Sequence, residues 1–98
     1  MRNISTAKLL DLIGAQATNC KEAIRHSNMV TEIRVLSFRH AKMLVLRHTT
    51  ENTWAKEEAR FDYTASRARS RLRNFVLVIA RSEKGETITT DLCSEHEQ

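Results

Sequence analysis

Four arginines, Arg67, Arg69, Arg71 and Arg73, stand two apart in one run, with Arg60 upstream. Guanidinium groups pair with phosphate through two parallel hydrogen bonds, so the chemistry these residues offer is the capture of an anionic partner. The other chemistry-bearing residues are sparse. Cys20 and Cys93 form no CxxC or zinc-type spacing and read as two reduced thiols. His26, His40, His48 and His96 are scattered without a ligand pattern and read as solvated surface residues. Glu57 and Glu58 are adjacent and would project differently on a helix, and there is no glycine-rich phosphate loop. The expectation is a non-enzymatic protein with no catalytic residues, no metal and no cofactor.

Placing the arginines requires an element. Phe61, Ala65, Ala68, Leu72, Phe75 and Ile79 recur at alternating steps of four and three, which predicts a helical seam within one helix from Thr53 to Glu83, roughly 45 Å long. Glu57, Glu58 and Asp62 fall early and Arg73, Arg81 and Lys84 late, complementing the helix dipole, and Gly85 can supply a left-handed cap. At about 100° per residue, Arg60, Arg67 and Arg71 lie on one flank of the seam and Arg69 and Arg73 on the other. The seam therefore reads as an interface helix with phosphate contacts at its edges. Val76, Leu77, Val78 and Ala80 lie outside the seam, and the extra apolar surface predicts a homodimer. The rival here is a strand over Phe75 to Ala80, turning at Glu83 to Glu86 into Thr87 to Leu92.

Residues Asn28 to His48 place Met29, Ile33, Leu36 and Met43 at helical spacing and are apolar nearly all round, which predicts a central helix. The rival is a β-hairpin of Glu32 to Phe38 and Lys42 to Arg47. Its turn, Arg39-His40-Ala41, lacks the Gly, Asn or Asp of tight hairpins, and the helix is preferred on that ground.

From Ser5 to His26, Leu10, Ile13, Ala17, Cys20 and Ile24 share a helical face, with Gly14 as a break and Asn19 to Glu22 as a capping box. Leu9, Ile13, Ala15, Cys20, Ala23 and Ile24 are apolar, and Gly14 sits between two candidate helices. In this pattern, residues 7–25 resemble the helix-turn-helix of bacterial and phage regulators, although Leu10 stands where that family keeps a small residue. The resemblance implies a first helix over Ala7 to Ile13, a turn over Gly14 to Ala17 and a recognition helix over Thr18 to Arg25. It further implies base and backbone contacts from Gln16, Thr18, Asn19 and Lys21, with Arg25 on phosphate.

Ninety-eight residues, 41 % hydrophobic and 29 % charged, fit one small globular domain. No run of 18 apolar residues exists to span a membrane, and Lys8 and Asp11 interrupt any signal-peptide core, so a soluble cytoplasmic protein is expected. The net charge is +4; beyond Glu83, Lys84 stands against Glu86, Asp91, Glu95 and Glu97, a net of −3 that leaves +7 on residues 1 to 83. With no proline and only Gly14 and Gly85, helices are favoured by default. Trp54 reads as a core anchor and Tyr63 as an exposed contact. Together these predict a mainly α small helical bundle with a long C-terminal helix over 1–85, and an acidic flexible tail over 86–98. The alternative is α+β, with hairpins near 32–47 and 75–92. The function expected is a small DNA-binding regulator acting as a dimer on duplex DNA. The alternative is an adaptor or inhibitor of phage or secretion type that docks its apolar helix on a larger protein.

Overall fold

The computed structural model describes residues 2–9, 11, 29–49, 53–60 and 71–94, and in it the longest apolar runs are strands. They are β1 (Arg2–Ser5), β2 (Val30–Ser37), β3 (Lys42–His48), β4 (Thr53–Arg60), β5 (Phe75–Ser82) and β6 (Thr87–Ser94). All neighbours pair antiparallel in one sheet of order β1-β4-β3-β2-β5-β6. Among the described residues, helix is confined to 6–9, 11 and 71–72. No helix among them is long and apolar enough to cross a membrane.

This corrects the expected helical bundle. Thr53–Arg60 and Phe75–Ser82, both assigned to one long helix, are separate strands, and the central helix is the β2–β3 hairpin. The hairpins ranked second at 32–47 and 75–92 are the ones that form. The physical reason is that a strand apolar on both faces reads as a continuous hydrophobic run, in which a period of 3.6 and a period of 2 are indistinguishable. Valine and isoleucine then favour the pleated surface, where their branched side chains keep a preferred rotamer.

The turns show why the missing glycines did not forbid hairpins. Ser37 pairs with Lys42, so residues 38–41 make a four-residue loop, a class built around ordinary turn conformations rather than Asn-Gly. Ala41 takes the left-handed position at φ 50°, and the Ser37 hydroxyl accepts the His40 N–H at 3.4 Å. Arg39 Nη2 donates to Asn74 Oδ1 at 2.9 Å, tying this loop to the entry of β5.

At the β5–β6 end, the Gly85 N–H donates to the Ser82 carbonyl at 2.9 Å and the Ser82 N–H to the Glu86 carbonyl at 2.8 Å. Gly85, at φ 83°, holds the left-handed place of a three-residue loop. Nothing lies within 4 Å of where its Cβ would be, so Gly85→Ala meets only the backbone cost. That variant is expected to lose about 1 kcal/mol, read from a urea unfolding midpoint.

One sheet face carries the core. Ile33 lies between Leu46 and Ala80 across the strands, Val35 between Leu44 and Val78, and Ser37 next to Val76, whose β6 neighbour is Cys93. These cluster with Leu9, which is fully buried, and with Trp54. Ser5 Oγ accepts the Lys8 N–H at 3.1 Å and so caps the helical residues 6–9 that bring Leu9 in. Trp54 Nε1 donates to Thr6 Oγ1 at 3.1 Å, and its ring meets His48 edge-on at 5.0 Å.

The stretch set apart on composition as an acidic tail supplies β6. Cys93, expected as a free thiol, is buried and disulfide-bonded. Cys20, the other cysteine of the chain, lies outside the described residues.

Candidate functional site

Alternation along each strand puts a second set of residues on the opposite face, and the pairing register sorts them into rows across the strands. The first row runs Ala59, Met43, Leu36, Leu77, Leu92 from β4 to β6. It is apolar from end to end. Met43, Leu36 and Leu77 are half-buried, whereas Leu92, at its β6 end, is 52 % exposed. Phe75, half-buried, flanks the row two residues before Leu77 on β5.

The next row, Glu57, Val45, Arg34, Ile79, Thr90, mixes charge and hydrocarbon. The third is ionic: Ala55, Arg47, Glu32, Arg81, Thr87. Glu32 binds Arg34 and lies 3.7 Å from Arg47 Nε, and Arg47 Nη1 reaches Glu57 Oε2 at 3.2 Å. The Arg47–Glu57 pair, about half exposed on both sides, contributes about 0 to 1 kcal/mol, so it sets register more than stability.

Beside the ionic row is an open cleft of about 270 Å³, lined by Glu32, Arg47, His48, Arg81 and Glu83 among others. Arg81 Nη2 donates to the Gly85 carbonyl at 3.0 Å, while its buried Nε has no hydrogen-bond partner. Arg47 is held between Glu32 and Glu57. Among the described residues, no group of three or more His, Cys, Asp or Glu side chains is arranged to hold a metal ion.

The residues expected to act do not converge. Gln16, Thr18, Asn19, Lys21, Arg25, Phe61, Ala65, Ala68, Arg67 and Arg69 lie outside the described residues. Arg71 and Arg73 are exposed ahead of β5, and Leu72 is half-buried. Phe75 and Ile79 share the second sheet face, an effect of strand rather than helical spacing. The helix-turn-helix is corrected too: that motif needs two packed helices, and the described chain is a sheet with short helical pieces, in which Leu9 belongs to the sheet's core. A DNA-binding regulator built on that motif, and an adaptor docking through a long apolar helix, both lose their element. What sequence reasoning missed is the row of Leu36, Met43, Leu77 and Leu92. Its signal was present on β5, where Phe75, Leu77 and Ile79 are apolar at even spacing, but it means a face only once the strands are aligned.

No family model, curated protein or solved structure matches this chain.

Proposed function

We propose that this protein is a non-enzymatic interaction module that assembles with a protein partner through the apolar row of its second sheet face and the adjoining edge strand β6. The observation that carries it is Leu92, a large apolar side chain 52 % exposed at the end of a row that is otherwise half-buried. Exposed apolar surface continuous with a sheet edge is what strand-adding partners use, because the edge offers unpaired N–H and C=O groups and the row offers side-chain contacts.

The two edges differ in a way that supports this. Soluble proteins blunt their edges by shortness, charge or proline. β1 is four residues long, but β6 is eight, TITTDLCS, with Asp91 its only charge and no proline or glycine. The disulfide at Cys93 favours an oxidising compartment for this assembly over the cytoplasm.

The test is a photo-cross-linking residue placed at Leu92, at Met43 and, as a control on the core-side face of β4, at exposed Glu58. A discrete adduct from Leu92 and Met43 and none from Glu58 is the expected result. Adducts from no position, or equally from all three, overturn the proposal.

A further inference from the structure

We infer that the partner is a second copy of this chain, paired strand to strand through β6 about a two-fold axis that passes at Leu92. The inference rests on the interaction reading above and adds to it the identity of the partner and the register. A two-fold normal to an antiparallel sheet keeps the same face up in both copies, so one residue of the edge strand must lie opposite itself. Near the middle of β6 there are four choices, Thr89 to Leu92, and they are not equivalent.

With Asp91 on the axis, two carboxylates face each other directly, which destabilises the pair. With Thr89 or Thr90 on the axis, the ladder must run through the irregularity at the start of the strand, where Ala80 pairs with Thr89 but Arg81 with Thr87, leaving Ile88 outside the register. A bulge there twists the strand and interrupts a straight edge. With Leu92 on the axis, the pairing uses Thr90–Ser94, which lies in the regular part of the ladder.

In that register Thr90 faces the partner's Ser94 and Asp91 faces the partner's Cys93. The row Met43, Leu36, Leu77, Leu92 then continues through the partner's Leu92 across the second sheet, and the exposed residue at its end is covered. The contact is isologous and closes at two copies, since each β6 is consumed once. The β1 edges at the far ends of the joined sheet stay short.

Sedimentation equilibrium of the whole protein, with the cross-linking residue at Leu92 as a second readout, tests this. The wild type is expected as a concentration-dependent monomer and dimer, and its photo-adduct at twice the chain mass. Leu92→Asp puts two carboxylates on the axis and should raise the dimer dissociation constant about tenfold or more. Thr90→Asp, opposite the partner's Ser94, should raise it far less. Both positions are exposed, so circular dichroism is expected to match the wild type in each, and Leu92→Lys is a second variant of opposite charge with the same expected loss.

A dimer that survives Leu92→Asp and Leu92→Lys, or one broken by Thr90→Asp instead, overturns the inference. A wild type that stays monomeric but gives an adduct of another mass also overturns it, while leaving the interaction module standing. A monomer with no adduct removes both.

Discussion

Ile33→Ala is expected to lower the free energy of unfolding by about 2 to 5 kcal/mol, whereas Leu36→Ala, three residues on, should cost no more than about 1 kcal/mol. Ile33 is fully buried between Leu46 and Ala80, so its truncation removes hydrocarbon from the core and leaves a cavity that the paired strands cannot collapse to fill. Leu36 is on the other face, half-buried between Met43 and Leu77. The contrast discriminates between folds. A helix would place Ile33, Leu36 and Met43 on one face and make their truncations similar, but a sheet separates them by parity. Urea unfolding of the two single variants reads the difference directly, since a slope of about 1 to 2 kcal/mol per molar turns the Ile33→Ala loss into a midpoint shift of at least about 1 M. Equal losses at Ile33 and Leu36 would refute the register.

Reducing the disulfide of Cys93, or replacing Cys93 with alanine, is expected to cost about 2 to 5 kcal/mol and to lower the melting temperature by about 10 °C or more. The size of the effect follows from the size of the domain, because a chain of 98 residues buries a limited core and a cross-link is a large fraction of its margin. Cys93 is itself 6 % exposed beside Val76, so the bond also secures the outermost strand on the β6 side. Thermal melts with and without reductant check this. Unchanged melting on full reduction would show that the bond contributes nothing to the fold.

Several features could be read before the fold was known. Trp54 was legible as a core anchor because its bulk outweighs its one polar group, and it is buried with its N–H on Thr6. His40 and His48 were legible as exposed. Gly85 was legible as a left-handed position, but a helix cap and a hairpin loop make the same demand on φ, and the residue alone does not say which. Ala41 shows the converse, a left-handed residue with no composition signal.

The candidate surface was less legible than the fold. Leu92 stood out only as an apolar residue in a polar, acidic stretch, and Leu36 and Met43 were assigned to a helix face. Each acquires its meaning from neighbours on other strands, up to 41 residues away in sequence, through the registers Leu77 to Leu92 and Leu36 to Leu77 and their continuation to Met43. Strand pairing is a non-local choice that no window of residues contains.

By itself, then, the sequence determined which residues must leave water: the valines, isoleucines and leucines of 30–46 and 75–80, together with Trp54. Its lack of proline and its two glycines argued for helices, and the four-residue loop at 38–41 and the three-residue loop at Gly85 form without that punctuation. Only the tertiary structure decided that these runs are strands, which face of each is the core, and that Leu92 ends an apolar row on β6, the last strand of the sheet among the described residues. The reason is physical: burial depends on side-chain chemistry and is written locally, whereas the choice between a helix and a sheet for an apolar run depends on the strands it can pair with.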